Sequence, residues 1–194
     1  IFTRELLAGN MPGFLRDLTP VTITGPRADG RQATVTICVT PDYLAVGDDG
    51  DFFRVPLGLP AAALVADRFG FMLPTTRMVD AIYEQARVRL APAPMTPGAA
   101  MTSTGYFWRH HQTVEGQLRG RNGTLVAGIK KDLVLSERLR RNPGRVAIYG
   151  WHRPNGTPIQ PLSTVHGAYY ADYSHGVRLV SRTAFVDGRA VALA

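Results

Sequence analysis

Between residues 77 and 90, Val79, Ile82, Tyr83, Ala86 and Leu90 recur three and four positions apart, which is the spacing of one helical face. Thr75 or Thr76 stands where a helix cap belongs. The same period predicts helices over 60–71, with Pro60 in the first turn, and over 103–118. A shorter helical pair is expected over 2–18, interrupted by Gly9-Asn10-Met11-Pro12-Gly13 and ended by Pro20 and Gly25-Pro26. Alternation replaces this pattern at 33–39, Ala-Thr-Val-Thr-Ile-Cys-Val, a β-branched strand. Residues 42–57 read as a hairpin folded about Gly47-Asp48-Asp49-Gly50; that turn lacks the full ligand series of a calcium loop. Past residue 118 short strand-like runs crowd the chain, at 124–127, 132–135, 145–149, 162–166 and 177–193, the last broken by Asp187-Gly188.

Helical character therefore precedes strand character. The expected fold is α+β, an N-terminal helical layer packed on a mainly antiparallel C-terminal sheet. One domain over 1–194 is expected, with a proline-rich connection at 91–98 as an internal boundary candidate.

Composition narrows the class. With 45% hydrophobic and 19% charged residues the chain has the profile of a packed globular protein. Cys38 is the only cysteine, so a disulfide framework and a multi-thiolate zinc site are excluded. No apolar run approaches the ~20 residues of a membrane span. The chain opens Ile1-Phe2-Thr3-Arg4 without an initiator methionine, and with so little cysteine an exported bacterial protein, extracellular or periplasmic, is expected.

The net charge of +7 is concentrated. Residues 109–153 carry ten basic and three acidic groups, whereas residues 1–108 carry nine and ten. Such a stretch is either a solvated face or a surface for an anionic or glycan polymer. No nucleic-acid module accompanies it, and no Walker loop, dinucleotide fingerprint or HExxH motif occurs.

All five histidines and both tryptophans lie in the C-terminal half. The densest run, residues 163–179, sets His166-Gly167 and His175-Gly176 around Tyr169, Tyr170, Asp172 and Tyr173. Three chemistries follow. His166, Asp172 and His175 are candidate ligands for a divalent metal such as zinc. Ser174 beside His175 is a poor nucleophile dyad, because adjacent strand residues face opposite ways. A metal-free scheme uses histidine as base, Tyr170 or Tyr173 as proton donor, and Arg178 to neutralise a substrate carboxylate. The candidate catalytic set is His166, Asp172, Tyr173, His175 and Arg178. Trp108, His111, Lys130, Trp151, His152 and Tyr170 are the candidate substrate contacts.

Ser174-His175-Gly176-Val177-Arg178 resembles part of the Ser-His-Gly-Cys-x-Arg signature of bacterial L,D-transpeptidases. Val177 stands where that family's nucleophilic cysteine would be, so the resemblance implies only a His-Gly turn beside an arginine near a cell-wall-like substrate. The expected function is cleavage of a polymer, cell-wall material or acidic polysaccharide, by a hydrolase or lyase. The alternative is a non-enzymatic glycan- or cell-wall-binding protein that uses the aromatic and cationic residues.

Overall fold

The computed structural model describes residues 1–193. It is a mixed α and β structure with several mainly antiparallel sheets, and its order along the chain differs from the expected helical layer followed by a sheet. After helix α1 (Phe2–Leu7) and a 3-10 turn (Gly13–Arg16), the chain forms β1 (Thr19–Pro26) and β2 (Gln32–Val39). These two N-terminal strands share a sheet with the last two, β12 (Val180–Val186) and β13 (Arg189–Ala192), in the order β1-β2-β12-β13. The two ends of the chain thus build one layer together.

The helical reading of the N-terminal region missed β1 because Pro20, Gly25 and Pro26 look like breakers. β1 is an edge strand, paired only with β2, and an edge tolerates proline. Its outer side is partly satisfied by a side chain: the Thr22 N–H donates to Gln85 Oε1 at 2.9 Å and Gln85 Nε2 donates to Thr22 O at 2.8 Å.

The expected hairpin is present as β3 (Ala45–Gly47) and β4 (Phe52–Arg54). Asp48 Oδ1 accepts the N–H groups of Gly50 and Asp51, so the acidic turn spends a carboxylate on its own backbone. Helix α2 (Leu59–Arg68) ends earlier than its pattern predicts: Gly70 adopts φ +74°, and Phe71–Met72 forms the short strand β5 against β12. Helix α3 (Thr76–Gln85) is capped by the Thr75 hydroxyl, which accepts from Met78 N. It stops at Ala86, whose ψ of 129° is extended, and Val88–Arg89 (β6) pairs in parallel with Val126–Ala127 (β7). Helix α4 (Thr104–Leu118) fills its expected span.

The second main sheet has the order β10-β9-β8-β11, from β8 (Lys131–Leu133), β9 (Ile148–His152), β10 (Pro158–Ser163) and β11 (His175–Gly176); the short helix α5 (Arg138–Arg141) lies between β8 and β9. Strand β10 ends at Ser163, which leaves His166 in the loop that leads to β11. The core runs through both sheets, with Leu44, Leu133, Val146 and Ile148 under α2, and Val21, Ile37, Val180 and Ala184 under α3. No described helix is long and apolar enough to cross a membrane.

Candidate functional site

The parallel pairing of β11 with β8 aligns His175 with Lys131 and Gly176 with Asp132, so His175 and Lys131 leave the sheet on one face. Gly176 is required for this approach. A Cβ there would lie 2.5 Å from Tyr43 Cδ1 and 2.7 Å from Lys130 Cβ, so the glycine lets two elements touch and does not open a cleft beside His175. Gly167 meets nothing within 4 Å.

Around His175 the loop gathers three of its predicted partners. The His166 and Tyr170 rings stack with centroids 4.2 Å apart, and they lie 5.9 and 5.6 Å from the His175 ring. Asp172 Oδ1 accepts from both the N–H and the hydroxyl of Ser174, at 2.8 and 2.6 Å. Its Oδ2 accepts from Tyr170 Oη at 3.0 Å and lies 4.0 Å from His175 Nε2. Ser174 is therefore committed to Asp172, not to His175. His175 is fully buried and, among the described residues, neither ring nitrogen has a hydrogen-bond partner. His166 and Tyr170 are only partly buried and form the outer surface of the cluster.

Electrostatics follow from this layering. Burial lowers His175 to about 4, against the pull of Asp172, so the ring is neutral at neutral pH. Burial also lowers His166. Asp172 is raised by burial but lowered more by His175 and by the two Ser174 hydrogen bonds, and it stays ionised. Burial and the Asp172 carboxylate push Tyr170 up to about 12, which keeps its proton in place.

Lys131 completes the group. Its Nζ makes no hydrogen bond among the described residues and sits 5.3 Å from the centre of the Trp151 ring. Burial lowers its pKa, with Asp172 opposing. Trp151 is held at φ +56°, a conformation costly for a bulky side chain, next to Gly150 at +106°. Tyr173, 6.3 Å from Trp151 between ring centres, is anchored by Met95 N, which donates to its Oη at 2.7 Å.

The remaining candidates lie elsewhere. Arg178 is fully buried, donates to Thr40 O and Val126 O, and covers the Tyr43 ring at 4.4 Å. It ties β7 to the loop after β2 and does not face the cluster. Lys130 is buried behind Tyr173: its Nζ is 3.0 Å from His110 Nδ1 and donates to Tyr173 O at 2.5 Å. His111 is buried beside Arg54, which spans Asp42 and Glu115. Trp108, 47% exposed, rests on Phe53 and His111. His152 pairs with Asp80 on the face of the sheet opposite Lys131. Among the described residues no group of three His, Cys, Asp or Glu side chains is arranged to hold a metal ion, and His166, Asp172 and His175 are not such a group.

Lys131, and not the Lys130 expected as a substrate contact, stands beside this cluster. Lys130 and Lys131 are adjacent, strand alternation sends one inward and one outward, and the flanking Ile129 and Leu133 do not say which. No protein-family model, curated protein or solved structure matches this chain.

Proposed function

We propose that the protein is an exported enzyme that cleaves an anionic polysaccharide by metal-free β-elimination. The observation that carries this reading is the convergence of His166, Tyr170, Asp172 and His175 on the face that also presents Lys131. Elimination from a polyuronate needs a base for the proton next to the carboxylate, a cation to stabilise the enolate-like charge, and a proton for the leaving oxygen. Partly exposed His166, kept neutral at neutral pH, takes the proton. Lys131 neutralises the uronate carboxylate, the role expected of Arg178. The electron pair forms the C4–C5 double bond, the C4–O4 bond breaks, and the Tyr170 hydroxyl turns from Asp172 to O4 and gives it its proton. The proton on His166 then returns to the phenolate through solvent, and the enzyme is restored. Asp172 and His175 are positioning residues: Asp172 fixes the Tyr170 hydroxyl, and His175 backs the stacked pair.

Elimination is favoured over glycoside hydrolysis by the carboxylate count. Hydrolysis of a glycosidic bond ordinarily uses two carboxyl groups on either side of the bond. This cluster has only Asp172, already bound by Ser174 and Tyr170.

The test is substrate discrimination. The parent protein should release unsaturated products from polygalacturonate or alginate and act poorly on the methyl-esterified polymer. Lys131→Met should lose most of that rate and the preference for the free acid. Equal rates on acid and ester would remove Lys131 from the scheme.

A glycan-binding reading draws support from Trp108, 47% exposed, and from Tyr169, 87% exposed on the loop that carries the cluster. Under that reading the polymer would bind saturably and leave unchanged.

A further inference from the structure

On the face of β9 opposite Lys131, a cavity of about 570 Å³ opens between α3, Arg89 and the turn that joins β9 to β10. That volume is within the roughly 300–1,000 Å³ range of small-molecule sites. Its walls carry Asp80, Tyr83 and Glu84 from α3, Tyr149 and His152 from β9, and Asn155 from the turn.

Asp80 is oriented before any ligand arrives. Its Oδ1 accepts from Tyr149 Oη at 2.8 Å and pairs with His152 Nε2 at 3.0 Å. Its Oδ2 has no protein hydrogen bond among the described residues, and the side chain is 44% exposed. Two residues three apart in a regular strand face opposite sides and could not meet on one oxygen. They do so here because Gly150 and Trp151 both take positive φ, which turns Trp151 toward Lys131 and His152 toward α3. The strained pair thus serves both faces, and on this one it fixes a carboxylate. His152 is in turn held flat against Tyr83, centroids 4.5 Å apart. The Tyr83 hydroxyl donates to Arg153 O at 2.6 Å.

The charges are arranged by sign. Asp80 and Glu84, four apart on α3, share a helix face. Arg89, from β6, lines the same cavity, its guanidinium carbon 5.8 Å from the centre of the Tyr83 ring. Two carboxylates and a guanidinium lining one cavity match an ammonium and a carboxylate carried by one small molecule. They mismatch a polyanion. We propose that this cavity is a second ligand site, specific for a zwitterionic amino acid or short peptide, with the ammonium on Asp80 and Glu84 and the carboxylate on Arg89. The site lies on the other face of β9 and takes no part in the elimination chemistry.

Amide NMR titration of the full chain with L-leucine and with glycyl-L-leucine tests it, and the two arms separate a free amino acid from a peptide. At least one probe should give saturable shifts centred on 80–89 and 149–158. N-acetylation or C-terminal amidation of that probe should each weaken binding about tenfold, the loss of one charge-assisted contact. Asp80→Asn keeps the acceptor for Tyr149 and His152 but removes the charge, and should weaken binding similarly. Glu84→Gln and Arg89→Ala, at exposed positions, provide the same test if Asp80→Asn does not fold. No saturable shift at millimolar probe, or equal affinity for the blocked probes, overturns the proposal.

Discussion

The imidazole of His166 lies flat on the ring of Tyr170, with centroids 4.2 Å apart and planes 12° from parallel. Because the Tyr170 hydroxyl is tied to Asp172, the stack transmits the position of that carboxylate to a histidine that makes no hydrogen bond to it. The hydroxyl and the ring of Tyr170 therefore have separable roles. Tyr170→Phe retains the stack and removes the proton donor, so turnover should fall by ~10²–10⁴ with little change in melting temperature. Tyr170→Ala should add a fall in affinity for substrate as His166 loses its support. Equal turnover in the parent and Tyr170→Phe would remove Tyr170 from the chemistry.

Acid should destabilise the fold through its buried histidines. His175 titrates at 6.5 in the unfolded chain and about 4 in the folded one, and burial lowers His111 to about 4 and His110 to about 2 in the same way. Between those limits the unfolded chain binds more protons, so stability is whole above pH 6.5 and is lost as pH falls toward 4. His175 alone accounts for a loss on the order of 3 kcal/mol at ~1.4 kcal/mol per pKa unit. Urea unfolding across this window should give a shallower pH slope for His175→Asn than for the parent. An unchanged slope would mean that His175 is not buried neutral.

Lys130 should act at the other end of the scale. Burial, with Arg54 adding to it, lowers its pKa to about 7 from 10.5. The unfolded chain then binds the extra proton between pH 7 and 10.5, and stability from this group rises across that window. Lys130→Met should flatten the rise. Asp132, pushed up to about 7 by burial, works in the opposite direction between 3.8 and 7 and leaves the alkaline window unaffected.

Gly150→Ala tests the backbone device that serves both faces of β9. At φ +106° a side chain is strained, and its Cβ would sit 3.2 Å from Val79 Cγ1. A loss of ~1–3 kcal/mol is expected. Ligand binding at Asp80 and turnover at His166 should weaken together, since Tyr149, His152 and Trp151 move as one. An effect confined to one face would show the two faces to be uncoupled.

Much of the local structure was legible in the chain. The α3 and α4 helices, the Thr75 cap, the β3–β4 hairpin and the Asp187-Gly188 turn all rest on interactions between near neighbours. Layer order was not, because it depends on β2 pairing with β12 across most of the chain's length, and prolines in β1 disguised an edge strand as a break. The candidate site divided the same way. His166, Tyr170, Asp172 and His175 are close in sequence and remain together in space. Arg178 is only three residues past His175, yet the chain passes from one sheet to the other between β11 and β12 and its side chain is drawn into the core. The meeting of Asp80 and Tyr149 with His152 needs the positive φ of Trp151, which no sequence pattern announces.

In the proposed elimination His166 takes the proton, Tyr170 returns one to the leaving oxygen, and Lys131 is the charge partner. The most direct measurement is ultraviolet absorbance of the C4–C5 double bond formed from polyuronate in the presence of a metal chelator. Absorbance should grow with the parent protein and fall by ~10²–10⁴ in His166→Gln, and kcat/KM should have an acid limb below pH 6.5, because burial lowers His166. Chain cleavage without a double bond, or a rate untouched by His166→Gln, would contradict it.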